Sequence, residues 1–482
     1  MRRRPRKPVA AEITGALQAA GEELLMKITF SNLGTIKETE LDLRPLTVII
    51  GPNNTSKTYV AYSVYGLWKG GREHAPVVSD HIEFKHTSNR VSTVVDHKFL
   101  NVIAQYLNEI PEPFRKNLAA YFQDTSGRLF SNTHFAVSTT VEEAFDAVNS
   151  AINVIAKQYR RPAKITDNQA EFDTSDLGKE GARRLTRSFS EAVILGLFPR
   201  PYLMPAERNA FIITYKMLAT RRFRILRDAQ RAMVQHAKIN QRQIELLREQ
   251  GDLRYPTPIE DFLDFLADVE LSDHSNGHRK EGPIAALARL IEDSIQNKHA
   301  TRFAPTSLGG HEIKVDITKA LSIDLYNASS SIKQLAPLLL YLRHRAQPND
   351  LLIIDEPEMN LHPESQAKLL EALGILVNLG VHVLLTTHSP YFMAHLNNIV
   401  GGNMKSPRVR KKQAEALYLG DERAFLPMDK VSAYEMKDGK LCSLKDEDFG
   451  IRWDTLSDVS ADIQQRFFSI QEAGRKKHGK GK

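Results

Sequence analysis

The 482-residue chain has one cysteine, Cys442. A single thiol forms no intramolecular disulfide framework and no cysteine-based zinc hook. Cys442 reads as an ordinary thiol rather than a nucleophile, and such sparse use fits a reducing cytoplasm, which is the localisation expected. The chain also lacks any run of about 18 apolar residues, the length a helix needs to cross a bilayer, so no membrane partner is expected. The first 25 residues contain no long apolar stretch of the kind a secretory signal carries, and they read as an extension ahead of Met26. The body of the chain carries no excess of positive charge. The formal net charge is +7, yet Arg2, Arg3, Arg4, Arg6 and Lys7 near one end and Arg475, Lys476, Lys477, Lys480 and Lys482 near the other supply ten charges, and without those ten the balance is −3. Basic tails of this kind contact nucleic acid non-specifically or stay solvated.

Against these absences stand two segments with strong local chemistry. The apolar run Leu46–Ile50 leads into Gly51-Pro52-Asn53-Asn54-Thr55-Ser56-Lys57-Thr58. This follows the phosphate-loop pattern G-x-x-x-x-G-K-[ST], with Ser56 where the pattern has glycine. Gly51 closes the strand, and the backbone N–H groups of Asn53 to Thr58 would form an anion nest reinforced by the positive end of the next helix. Lys57 would reach the β- and γ-phosphates of ATP, and the Thr58 hydroxyl would ligate Mg²⁺. Serine is accommodated at position 56 if its φ is negative.

The second segment is Leu351-Leu352-Ile353-Ile354-Asp355-Glu356-Pro357. Four consecutive apolar residues predict a buried parallel strand. Asp355 then emerges at the C-terminal end, where open α/β sheets place ligands. It would hold Mg²⁺, and Glu356 would polarise an attacking water as a general base. Asp355 lies 298 residues after Lys57 (355 − 57), which leaves room for a large insertion between the halves of one site.

Three further features fit that site. The apolar run Val383-Leu384-Leu385 continues into Thr386-Thr387-His388-Ser389-Pro390, and His388 could bond the γ-phosphate and hold Glu356 and water in position. Ser329-Ser330-Ser331 opens an apolar helix, where serines act as N-caps or offer hydroxyls and N–H groups to a phosphate. Tyr202 to Asn209 reads as a short strand and a polar turn. In it Arg208 either approaches nucleotide, links the body to an insertion, or lies on the surface.

Together these motifs resemble the ABC-type ATPase heads of the SMC and OLD (overcoming lysogenization defect) group. The resemblance covers the hairpin-like opening from Met26 to Gly34 and Leu41 to Ile50, the phosphate loop, and about Leu325 to Pro390. It implies an α/β head with a mixed, mainly parallel sheet and a mainly helical insertion. It implies Walker B and D-loop roles for Asp355 to Pro363, Asn360 and His362 included, a signature motif at Ser329 to Ser331, an H-loop at His388 and a Q-loop candidate at Glu207 and Arg208. Ser331 takes the place of the signature's usual glycine. Such heads pair head to tail around two ATP molecules, the phosphate loop of one copy facing the signature serines of the other. Serine at both 56 and 331 is compatible with slow turnover.

The division expected is an extension over 1–25, a first half of the head over 26–210, a helical insertion over 211–304, a second half over 305–430, and a C-terminal hairpin, helix and basic tail over 431–482. Residues 80–95 read as strand-like, and 99–107, 141–159 and 213–250 as helical. Arg221, Arg222, Arg224, Arg227 and Arg231 in the last of these would bind DNA, bind an acidic protein or stay solvated. Asp438-Gly439 predicts a hairpin turn. Only 92 residues follow Pro390 (482 − 390), and Asp446-Glu447-Asp448 reads as an exposed acidic turn rather than a Toprim metal site. The chain thus reads as an ATPase without its own nuclease, like the stand-alone ATPase subunits of anti-phage systems such as PARIS. That likeness implies a sensor that controls a separate effector protein, a nuclease, in response to a phage trigger protein. A DNA-clamping repair ATPase and an ATP-locked scaffold are the alternatives.

Overall fold

Each of the apolar runs named above is buried along almost its whole length, as strands covered on both faces must be. Leu46–Ile50 and Asp350–Asp355 are buried at every position, and His382–Thr387 at every position after the first. The computed structural model describes residues 26–73, 84–87, 90–94, 97–139, 151, 163–166, 169–175, 178–218, 255–273, 282–305, 311–402, 407–446, 450–452 and 462–470.

The central sheet has six strands, in the order Lys440–Ser443, Val431–Lys437, Leu46–Ile50, His382–Thr387, Asp350–Asp355 and Arg200–Met204. All neighbouring pairs are parallel except the antiparallel edge pair of Lys440–Ser443 with Val431–Lys437. This is the mixed, mainly parallel α/β sheet that the motifs imply. Alternation along the strands sorts side chains to two cores. Leu351, Ile353, Leu384 and Ile49 join the core under the helix Lys57–Glu73. Leu352, Ile354, Val383, Leu385 and Val48 join the opposite core, under the helices Ser330–His344 and Pro363–Asn378. The result is a three-layer sandwich, with the helix Pro363–Asn378 as the crossover that parallel strands require.

One hairpin lies beside this sandwich, and a second forms one edge of its sheet. Met26–Leu33 pairs antiparallel with Ile36–Leu43, as the opening segment suggests, and takes His134–Thr139 as a third strand. Asp438 (φ 51°) and Gly439 (φ 74°) form the expected turn, both residues left-handed as a two-residue hairpin loop of the mirror type demands. The sequence did not indicate where that second hairpin goes. Val431–Lys437 lies parallel to Leu46–Ile50 and completes the sheet on the far side of the phosphate-loop strand.

Residues 85–86 and 90–94 are strands and His97–Glu109 is a helix, as read from the sequence. The predicted helix over 141–159 lies outside the described residues apart from Ala151. So do residues 219–254, with the arginines from Arg221 to Arg231, and Glu447 and Asp448 of the acidic turn. The described part of the insertion is helical at Thr257–Asp273 and Pro283–Ile295. An antiparallel three-stranded sheet, Ala300–Pro305, His311–Thr318 and Leu321–Asp324, then leads into the serines at 329–331; no sequence pattern had indicated it. The insertion touches the phosphate-loop helix directly, because Asp261 accepts from Tyr65 Oη at 2.8 Å and from Lys69 Nζ at 2.7 Å. Among the described residues, no helix is long and apolar enough to cross a membrane.

Leu352 is fully buried in the second strand from the sheet edge, between two parallel neighbours. Leu352→Ala is therefore expected to lower stability by about 2–5 kcal/mol, measured by denaturant unfolding.

Candidate functional site

The parallel register sets three chain segments level at one edge of the sheet. Ile50 pairs with Thr387, and Thr386 pairs with Asp355, so the phosphate loop, the histidine turn and the acidic pair leave the sheet side by side at its C-terminal edge. This is where a doubly wound sheet binds its ligand.

Gly51 leaves the first strand at φ 148°, and a Cβ there would come within 2.9 Å of Met436 Cβ and 3.0 Å of its carbonyl oxygen. Both backbone conformation and space therefore call for glycine. The helix starts at Lys57, and Thr55 Oγ1 donates to Pro52 O at 2.8 Å, tightening the loop. The Lys57 ammonium is buried and donates to the carbonyls of Gly51 (3.0 Å) and Pro52 (2.7 Å). Burial pulls its pKa down, and the nearby carboxylates of Glu356 and Asp355 push the other way.

Ser56 departs from expectation. Its φ is +70°, in the left-handed region, not negative. The loop needs there the backbone that glycine adopts freely, and a side chain costs about 1–2 kcal/mol in that region. The hydroxyl offers an offset. Ser56 Oγ accepts from the Thr35 N–H at 3.0 Å and lies 2.8 Å from Thr35 Oγ1, which ties the phosphate loop to the turn of the first hairpin. Nothing in the local pattern signals Thr35.

Asp355 is 4% exposed. Its Oδ2 accepts from Thr58 Oγ1 at 3.1 Å, and its Oδ1 accepts from Thr386 Oγ1. Desolvation raises its pKa, while the two threonine hydroxyls lower it. Thr58 and Asp355 thus form a pair of hard oxygen donors at the mouth of the loop, a set that suits Mg²⁺. Glu356 follows with φ +48°, its N–H donating to Thr386 O at 3.1 Å. Its Oε1 lies 3.6 Å from His388 Nε2. Both side chains are about one-third exposed, open to a water and a phosphate. Desolvation, and next the charge of Lys57, hold His388 below its ordinary 6.5.

Thr386 acts on this site although sequence reasoning gave it no role, and so does Glu358, which was placed only within the wider segment Asp355 to Pro363. Glu358 Oε1 accepts from Thr387 Oγ1 and from the His388 N–H, both at 2.7 Å, and so fixes the histidine turn against the acidic one. Burial raises its pKa. An acid two residues after Glu356 and a threonine two before His388 were the available signals.

Arg208 is 2% exposed, which removes the surface reading. It contacts backbone carbonyls at the end of the Asp350–Asp355 strand and in the helix Ser330–His344. Glu207 is exposed. Asn360 has φ 60° in the turn after Glu356, and His362 caps the helix Pro363–Asn378, its Nδ1 accepting from the Glu364 N–H at 3.3 Å. Ser329 caps the helix Ser330–His344 by accepting from the Ile332 N–H at 3.4 Å, and its hydroxyl lies 2.9 Å from that of Ser331. Ser329 and Ser330 are exposed, and among the described residues no hydrogen bond joins the three serines to residues 51–58. The fold therefore brings the phosphate loop, Asp355, Glu356 and His388 together, and leaves the serines outside that cluster.

A phosphate loop, an acidic strand end and a histidine turn at one sheet edge define a P-loop ATPase. The chain belongs to the AAA ATPase domain family, whose sequence model matches residues 25–393, and it is an ATPase. Among curated proteins, none matches it. Among solved structures it is similar to the Smc head domain with an extended coiled coil bound to the C-terminal domain of ScpA from Pyrococcus furiosus, at 12% identity, 92% of this chain, 100% of that one and a TM-score of 0.34. It is similar as well to the SmcHead bound to the C-winged helix domain of ScpA (12% identity, 87% and 97% coverage, TM-score 0.35). A third is the Smc head domain with a coiled coil and joint from Pyrococcus yayanosii (12% identity, 92% and 100% coverage, TM-score 0.35).

The geometry at Ser56 separates two substitutions. Both Ser56→Ala and Ser56→Gly lose the Thr35 partner, but only alanine keeps the left-handed backbone cost. Ser56→Ala is expected to be less stable than Ser56→Gly by about 1 kcal/mol in denaturant unfolding.

Proposed function

We propose that this ATPase works as a head-to-tail dimer or higher oligomer and serves as a sensor and scaffold in bacterial anti-phage defence. It would hold a separate effector protein, a nuclease, and release or activate it when a phage protein is detected. The observation that carries the dimer is the exposed serine cap at 329–330, outside hydrogen-bonding contact with its own phosphate loop. Its exposed hydroxyls and helix N-terminus are suited to the γ-phosphate of an ATP held by a second copy.

In this reading the loop N–H groups from Asn53 to Thr58 and the Lys57 ammonium hold the phosphates. Thr58 and Asp355 hold Mg²⁺, which would offset phosphate charge. Glu356 accepts the proton of the attacking water, and neutral His388 orients Glu356 and the γ-phosphate. The defence role is supported by the resemblance of the motif set to the ATPase subunit of the PARIS system.

A DNA clamp is the second reading, favoured by one surface feature. The helix Pro407–Ala414 carries Arg408, Arg410, Lys411 and Lys412 and no acid, and among the described residues none of the four is ion-paired. Such a cluster suits a phosphate backbone.

Co-expression with the neighbouring gene product, with wild type beside Lys57→Ala and Glu356→Gln, decides between the two. A complex that needs Lys57 and binds little DNA fits the sensor. No protein partner, with ATP-dependent DNA binding strengthened by Glu356→Gln, moves the assignment to the clamp. Glu356→Gln is expected to cut turnover by about 10²–10⁴-fold while ATP binding persists. Undiminished turnover in that variant would remove Glu356 from the base role.

The lowered pKa of His388 gives a pH expectation. The ring is neutral above its pKa, so a rate that needs the neutral ring falls as pH drops through it. The acid limb of the pH–rate profile should therefore lie below pH 6.5, and His388→Ala should abolish that limb along with most activity.

A further inference from the structure

Arg208 is a buried cation that, among the described residues, meets no carboxylate at hydrogen-bond distance; its partners are carbonyls. Nε donates to Gln334 O at 3.1 Å, Nη1 to Pro205 O at 3.0 Å and Asp355 O at 2.8 Å, and Nη2 to Glu356 O at 3.2 Å. The side-chain oxygen of Gln334, oriented toward the guanidinium as its donors require, accepts from Nη2 at 2.8 Å. All five N–H groups of the guanidinium are then engaged. Burial brings its pKa down to about 10, so it stays charged at neutral pH, drawn upward by Asp355, Glu358 and Glu356.

These partners come from three separate elements. Pro205 lies in the turn after the strand Arg200–Met204. Asp355 and Glu356 end the acidic strand. Gln334, itself fully buried, lies one turn into the helix capped by Ser329, three and four residues beyond Ser331 and Ser330. Residues at that spacing stack along one side of a helix. The Glu356 carbonyl that Arg208 grips belongs to a residue at φ +48°. A non-glycine residue holds that conformation only where its surroundings over-determine it. Here Thr386 holds its N–H from one side, and Arg208 holds its carbonyl from the other.

We propose that Arg208 is a positioning residue that couples the serine-capped helix to Glu356, so that a shift of that helix on binding phosphate resets the Glu356 side chain against His388. Ser330 and Ser331 stand one helical turn before Gln334 on the same side of the helix, and direct hydrogen bonds continue from Gln334 through the guanidinium to the Glu356 backbone. The proposal rests on the reading of Glu356 as the base.

The test uses the full chain and measures steady-state ATP turnover, KM, affinity for a fluorescent ATP analogue and thermal stability. The variants are Arg208→Lys, Gln334→Leu, their double, and Glu356→Gln. A lysine keeps the charge but cannot hold the fork of carbonyls. Arg208→Lys is expected to lower kcat by about tenfold or more, with KM and analogue affinity within about twofold of wild type. Gln334→Leu keeps the backbone carbonyl and loses the amide, so a several-fold loss of kcat is expected, and the double variant should fall short of the product of the single effects. A purely structural role would lower thermal stability and the folded fraction but leave kcat per folded site unchanged. That result in Arg208→Lys would overturn the coupling; if Arg208→Lys does not fold, wild-type kcat in folded Gln334→Leu would overturn it equally. Full turnover in Glu356→Gln would instead bring down the reading of the base, so the two failures are distinguishable.

Discussion

The contact between Thr58 Oγ1 and Asp355 Oδ2, at 3.1 Å, joins residues 297 apart in the chain. Neither side chain is long, so the contact exists only because two strand ends stand level. That levelling is a matter of register. The strand His382–Thr387 lies between the other two and pairs in parallel with each, so one residue of slip would turn its threonines to the wrong face. Thr386 then bonds Asp355, Thr387 bonds Glu358, and His388 comes to Glu356. The chemistry of the site thus depends on the middle strand, which contributes only one of the charged or titratable groups.

The same edge concentrates buried charge. Asp355, Glu358, Lys57 and Arg208 all lose water, and desolvation is the leading cause of the shift at each. Unpaired ions in such a setting would be costly. Here threonine hydroxyls and the His388 N–H bond the acids, and backbone carbonyls take the protons of Lys57 and Arg208. The arrangement keeps ionised groups in fixed places, as a site that must stabilise a highly charged phosphate requires.

The local part of this design was legible in the sequence. The loop from Gly51 to Thr58, the apolar strand before Asp355 and the turn at Asp438-Gly439 are each set by their own few residues, because anion nests, buried strands and mirror-type turns are short-range devices. What the sequence did not reveal is long-range. Ser56 needed its partner Thr35 to account for a serine at a left-handed position, and that partner is 21 residues upstream. Arg208 could be read three ways because its five donors find carbonyls 126 to 148 residues away as well as nearby. The sheet Ala300–Pro305, His311–Thr318 and Leu321–Asp324 went unseen beside long helical runs, and the strand Val431–Lys437 was recognised as half of a hairpin but not as a neighbour of the phosphate-loop strand.

That last pairing has a consequence for the order in which the protein is made. The strand before the phosphate loop is synthesised long before its two sheet neighbours, which begin at His382 and Val431. Met436, which packs against Gly51 and floors the loop, is added 385 residues after it (436 − 51). A nascent chain must therefore carry this apolar strand without its sheet partners until residues 382–437 are made, the situation in which long-range parallel pairing is slow and prone to aggregation. A product halted before the 430s would accordingly carry the complete phosphate-loop sequence without the floor beneath it.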